Sequence, residues 1–190
     1  MNNIILKGIT GEEYVDCMLK NLKVKYYNDI YLKSKSGIVC QVDFIIVTDS
    51  ALFCIEVKNY NRCYIKGEEN YVWWDVKYNG ASTKIYNPIK QNDKHIMILR
   101  DCLDFNNLPV YNIVVFVGGC TLSIKRPSDE KILLLDLASL WSKLIDLTAT
   151  HSHILSDEEL GNIIGTLDTF NNDVYNLSIE HKKFISKSRT

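Results

Sequence analysis

The sequence predicts an α/β domain: a central mixed β-sheet flanked by helices, with further helices at the C-terminal end. Three observations predict it. Thr10-Gly11-Glu12-Glu13 reads as a capping box, and Tyr14, Val15, Met18, Leu19 and Leu22 follow at helical spacing. In residues 41–60, two β-branched and aromatic runs flank Asp49-Ser50, as the strands of a hairpin do. Tyr111 to Val117 is an apolar run ending at Gly118-Gly119, the pattern of a strand buried on both faces.

Taken in order, the first helix starts at Thr10 and ends between Asn21 and Val24. Lys25 to Lys33 reads as a strand broken by Asn28-Asp29, and Ser34 to Gly37 as a polar turn into the hairpin. Arg62–Lys66, a turn at Gly67, Tyr71–Lys77, the hairpin signal Asn79-Gly80 and Ala81–Tyr86 then read as a meander that extends the same sheet. Trp73 and Trp74 are adjacent, so one faces the core and the other faces outward, with core or edge cover as the first reading and base stacking as the alternative. Asn87-Pro88 opens a second helix, with Ile89, Ile96, Leu99 and Leu103 carrying it to about Phe105. A further strand is expected from Lys131 to Leu135, followed by a helix with Leu137, Leu140, Trp141, Leu144 and Ile145. Ser156-Asp157-Glu158-Glu159 is a second capping box, continued by Leu160, Ile163, Ile164 and Leu167. From Asn171 the helical pattern weakens, and the Lys- and Ser-rich tail after Glu180 is expected to fray. A boundary near residue 125 divides a core, 1–125, from a mainly helical extension, 126–190, packed on it.

At 190 residues, with 46% apolar and 24% charged residues, the chain has the size and balance of one globular domain. Its net charge of −1 argues against a strong general attraction to nucleic acid, although the first half is mildly basic and the second mildly acidic. No secretory leader and no apolar run near 20 residues is present, so no membrane partner is expected. The six cysteines form no C-x-x-C pair and fall mostly on apolar positions, which reads as reduced core thiols in a cytoplasmic protein. There is no phosphate-binding glycine loop and no nucleophile elbow. His151 and His153 lie near Asp157 but lack further metal ligands at a usable spacing. His95 lies four residues after Gln91, on the same side of a helix, where a lone histidine is a surface or packing residue.

The hairpin carries the chemistry. Pairing symmetric about Asp49-Ser50 sets Asp43 opposite Glu56 and Gln41 opposite Lys58, all on one face. Opposed side chains have Cβ atoms roughly 4.5–5.5 Å apart, and like charges at that distance destabilise a sheet. A divalent cation would reverse the sign of that effect, because carboxylate oxygens that repel one another are its natural ligands. The ordinary explanations are that Lys58 neutralises the pair and that Glu12 favours a helix start.

Glu12 before the hairpin and Gln91 after it complete an ordered set. Gly11-Glu12, Val42-Asp43, Glu56-Val57-Lys58-Asn59 and Asn87-Pro88-x-x-Gln91 resemble, in that order, the nuclease-related (NERD) domain of the PD-(D/E)XK nuclease superfamily. The resemblance covers roughly residues 7–120. It departs at Gln41, where relatives often carry an acid, and at Asn61-Arg62-Cys63, where a glycine is common.

The resemblance implies a restriction-endonuclease-like core in αβββαβ order and a metal-dependent endonuclease, a phosphodiester hydrolase acting on nucleic acid, in the first place DNA. It implies Mg²⁺ or Mn²⁺ held by Asp43 and Glu56 with the Val57 carbonyl. Lys58 would orient or activate the attacking water, Glu12 would complete the acidic cluster, and Gln91 would position water, substrate or the metal's surroundings. The other reading is a non-catalytic binding or interaction module that keeps the fold. A homodimer is compatible with duplex cleavage by a single-site enzyme, and a separate helicase or other partner protein is compatible with a chain that has no motor motif.

Overall fold

The computed structural model describes residues 2–103, 108–150 and 154–187, and it builds the chain around two sheets. The elements are α1 (Asn2–Leu22), β1 (Lys25–Lys33), β2 (Val39–Val47), β3 (Leu52–Asn59), β4 (Tyr64–Gly67), β5 (Trp73–Tyr78), β6 (Ala81–Tyr86), α2 (Pro88–Leu103), β7 (Val110–Val117), β8 (Thr121–Ile124), β9 (Ile132–Asp136), α3 (Leu137–Thr150), α4 (Asp157–Asn172) and α5 (Val174–Lys187). The first sheet runs β1-β2-β3-β7-β9, antiparallel on the β1 side and parallel from β3 to β9. With β4–β6 set aside, the order through β7 is the expected αβββαβ.

Both faces of this sheet are covered, which explains why β7 is buried along its whole length. On one face Ile45, Leu52 and Cys54 pack with Ile98 and Leu99 of α2 and Ile163 and Leu167 of α4. On the other, Phe44, Phe53 and Ile113 pack with Val15 and Leu19 of α1 and Leu140 and Leu144 of α3. Ser156 caps α4, accepting from Glu159 N while the Glu159 carboxylate takes Ser156 N, so the second capping box is formed as expected.

Four expectations are corrected. The first helix does not start at Thr10, because α1 already runs from Asn2. A capping signal is a weak local preference, and here Gly11 has a different use: a Cβ on it would come within 3.0 Å of Asn59 Cβ, so the glycine lets α1 approach the end of β3. The meander does not extend the first sheet. β3 has β2 on one side and β7 on the other, leaving no free edge, so β4, β5 and β6 join β8 in a separate sheet ordered β6-β5-β4-β8. The parallel pair β3/β7 passes into the second sheet as the parallel pair β4/β8, past Gly118, whose φ is +101° and where a Cβ would meet Tyr60 O at 2.4 Å. Residues 28–29 do not break β1; Asp29 takes φ +51° inside a continuous strand. Finally, the tail from Asn171 forms α5, which packs Leu177 against Tyr31 and Val39.

The Asn79-Gly80 hairpin, both residues at positive φ, joins β5 to β6 as expected, and Trp74 is fully buried while Trp73 is about half exposed. All six cysteines are free thiols. Among the described residues no helix is long and apolar enough to cross a membrane. The candidate metal residues His151 and His153 lie outside the described residues.

Candidate metal centre and its surroundings

The site forms where β2 and β3 part. Their ladder pairs Val47–Leu52, Ile46–Phe53, Ile45–Cys54 and Phe44–Ile55, the register symmetric about Asp49-Ser50, and it stops one step before Asp43 and Glu56. Instead of facing Glu56 in a closed ladder, Asp43 turns its Oδ2 to accept the Val57 N–H at 2.7 Å. The strands part at this point, and Glu56 still raises the proton affinity of Asp43. Gln41 is a correction: the β2–β3 ladder ends at Phe44–Ile55, so Gln41 is not paired with Lys58; it pairs in register with Tyr31 and donates from Nε2 to Asp29 Oδ1.

Glu56 and Lys58 point to the α2 side. Lys58 Nζ donates to Glu56 Oε1 at 2.5 Å and to Gln91 Oε1 at 3.0 Å, joining three of the predicted residues in one chain of hydrogen bonds. Glu12 stands on the α1 side, where it lines an acidic cavity of about 290 Å³ with Asp16, Asp29 and Asp43. Asp43 is therefore the residue between the two groups.

The electrostatics show what this arrangement lacks. Burial, then Glu56, pushes Asp43 up to about 7, and burial, then Asp43 and Asp29, pushes Glu12 to about 7. Glu56 is also raised by burial, although Lys58 pulls it back. Glu56 is 3% exposed, and its Oε2 has no hydrogen-bond partner. A buried carboxylate with an unpartnered oxygen, electrostatically coupled to two further carboxylates of elevated proton affinity, is a set that a cation would satisfy. Among the described residues no three His, Cys, Asp or Glu side chains already converge as a metal cage. Mg²⁺ does not require one, since it commonly takes one or two carboxylates and completes its octahedron with waters and substrate phosphate. The residues fit such an ion.

His95 takes the packing alternative of the expectation, with Glu56 as its neighbour. It is buried beneath the site, its Nδ1 stands 3.6 Å from Glu56 Oε2, and it too has no hydrogen-bond partner at that atom. Burial, followed by the nearby Lys58 ammonium, lowers its pKa to about 4, so the ring is neutral near pH 7. Helical spacing set it beside Gln91, but only the depth of α2 against β3 turned it inward.

That depth is set by two asparagines that the sequence reading passed over. Asn92 Nδ2 donates to Cys54 O at 2.8 Å and Asn112 Oδ1 at 2.9 Å, while Asn112 Nδ2 donates to Ile89 O at 3.0 Å and Asp93 Oδ1 at 2.7 Å. These bonds tie α2 to β3 and β7 one residue from Gln91 and two from Glu56. Asn87 fixes the other end, accepting from Ile89 N and donating to carbonyls of Glu69 and Tyr71. The available signal was Asn112 itself, an amide inside an otherwise apolar strand.

A family model described as "Nuclease-related domain" matches residues 7–117. An uncharacterized protein of Bacillus anthracis is 28% identical over 154 residues, covering 78% of this chain and 72% of that protein. The crystal structure of AF1548, a protein of unknown function, aligns with a TM-score of 0.35 at 11% identity, over 70% of this chain and 59% of that one.

Proposed function

The chain belongs to the nuclease-related domain family, and from that premise we propose that it is a metal-dependent endonuclease that hydrolyses phosphodiester bonds in DNA. The observation that carries the reading is the set of Asp43, Glu56 and Glu12, whose proton affinities burial and mutual repulsion raise, with Glu56 Oε2 buried and without a hydrogen-bond partner. Asp43 and Glu56, with the Val57 carbonyl, would hold Mg²⁺ or Mn²⁺, and Glu12 would complete the acidic set. Such a cation, when bound, supplies acidity to water and positive charge to a phosphate group.

The chain's own residues supply position. Lys58, held between Glu56 and Gln91, presents ammonium protons to an attacking water or to a phosphate oxygen. Gln91 keeps Lys58 aimed, and the Asn92–Asn112 pair keeps Gln91 in place. Asp43 is oriented by the Val57 N–H, which fixes its Oδ2. His95, neutral and buried, closes the floor of the site against water.

One observation favours a second reading. Lys58 already stands against Glu56 Oε1, so a non-catalytic module could use the lysine as a permanent counter-charge. A cleavage assay on supercoiled, linear and single-stranded DNA with Mg²⁺ or Mn²⁺ separates the two. The nuclease reading predicts cleavage that EDTA stops and that Asp43→Ala, Glu56→Ala and Lys58→Ala each abolish in folded protein. Cleavage unaffected by all three substitutions would refute it.

A further inference from the structure

The second sheet has one face against the core and one in solvent. Trp74, Ile65 and Val76 point inward, with Trp74 stacked on Phe116. The outer face alternates aromatic rings with lysines in rows that follow the strand register. At one end Trp73 lies opposite Tyr86, their rings 5.7 Å apart and edge to face. The next row is Lys66, Asp75 and Lys84, and the row beyond it is Tyr64, Lys77 and Ser82. Rows two residues apart along a strand are separated by roughly 6.6 Å.

Trp73 is 52% exposed and Tyr64 37% exposed, and the three lysines of the face are exposed as well. Asp75 is the acid within the rows, and Lys84 stands 3.7 Å from it. On the adjoining loop, Glu69 is turned away to Ser128. The face therefore combines two exposed rings, Trp73 and Tyr64, with a net positive charge, on a protein whose overall charge is −1.

This face also leads to the site. Lys94 of α2 sits over the Tyr86 ring at 4.6 Å, and Gln91, three residues earlier on the same helix, accepts the Lys58 hydrogen bond. A chain lying on Trp73 would meet Lys94 beside Tyr86, one helical turn from Gln91.

We propose that the outer face of β4–β6 is a stacking platform for single-stranded nucleic acid that guides the strand toward the Glu56–Lys58 site. Aromatic rings bind bases only where the bases are unstacked and accessible, which selects single strands over closed duplex, and lysines in register with the rings meet the backbone phosphates. The proposal rests on the nuclease reading for what happens to the strand, but its binding does not need the metal centre.

The test is fluorescence anisotropy with a labelled oligothymidylate of about 15 nucleotides and a duplex of matching length, in EDTA, so that neither metal nor cleavage enters. The wild type is expected to bind the single strand more tightly than the duplex. Trp73→Ala should weaken single-strand binding roughly fivefold or more, and Lys77→Ser and Lys84→Ser should each flatten the salt dependence by about 0.7 in log–log slope. All three positions are exposed, and unchanged thermal unfolding checks that the fold is intact. No binding by the wild type, equal affinity for duplex, or unchanged affinity in Trp73→Ala overturns the proposal and leaves the face to a protein partner. Binding without Mn²⁺-dependent cleavage would instead sustain the platform and refute the nuclease reading.

Discussion

Replacing Glu56 with glutamine should make the metal-free protein more stable while removing its capacity for a cation. Glu56 Oε2 and His95 Nδ1 are both buried, both without a hydrogen-bond partner, and 3.6 Å apart. In Glu56→Gln the amide oxygen keeps the Lys58 bond, and with the His95 proton on Nε2 the amide N–H meets the Nδ1 lone pair, so one new bond satisfies both positions. A buried polar group left without a partner costs about 1–3 kcal/mol. Against this gain, the bond from Lys58 loses its charge-assisted part, about 1 kcal/mol. The balance is a stabilisation of about 1 kcal/mol, or ~2–4 °C in melting temperature for a chain of this size. The assay is thermal unfolding by circular dichroism in EDTA and again in Mn²⁺. The wild type should gain stability with Mn²⁺, because a ligand that binds only the folded state stabilises it, and the variant should not. A melting temperature several degrees below wild type in EDTA would refute the reasoning, since it would mean that the carboxylate is well satisfied without a cation.

Four other outcomes follow from the same structure. Lys58→Ala should destabilise by about 3 kcal/mol, because it leaves a buried carboxylate without its cationic partner; in the Glu56→Gln background the loss should shrink to about 1 kcal/mol, and a denaturant double-mutant cycle reads the difference. Gly118→Ala should lower stability by about 2 kcal/mol or more in chemical denaturation, since the new Cβ meets Tyr60 O at 2.4 Å in a left-handed backbone. Ser156→Ala should cost about 1 kcal/mol by removing the α4 cap, measurable as a lower urea midpoint at unchanged slope. The Tyr26 phenol, pushed up to about 12 by burial and then by its bond to Asp16, stays neutral longer folded than unfolded; its contribution is fully present below the ordinary tyrosine pKa near 10 and is lost as pH rises through about 12, so Tyr26→Phe should flatten the alkaline limb of a stability–pH curve.

What could be read from the residues was what depends on short-range periodicity. The hairpin register followed from the two-residue alternation and from where Asp49-Ser50 sits, and the observed Phe44–Ile55 to Val47–Leu52 pairs keep it. The inward Trp74 and outward Trp73, and the Ser156 cap, followed from equally local rules. The second sheet did not, because the β4–β8 pairing joins strands more than fifty residues apart and is decided by the filled edges of β3, which no local window contains. His95 was hidden for a related reason: its sequence neighbours give its helical face, but the Asn92–Asn112 anchor decides that this face meets Glu56. At the site itself, the two carboxylates were legible as an awkward pair. The parting of β2 from β3 at Asp43, which converts that pair into a cleft, was not.

The most direct test of a cation site built from these carboxylates is Mn²⁺ uptake by isothermal titration calorimetry, comparing the wild type with Glu56→Gln in the presence and absence of DNA. The account predicts saturable Mn²⁺ binding by the wild type that is strengthened by DNA and lost in the glutamine variant. An absence of Mn²⁺ uptake by the wild type, even with DNA present, would contradict it and leave Lys58 as the permanent partner of Glu56.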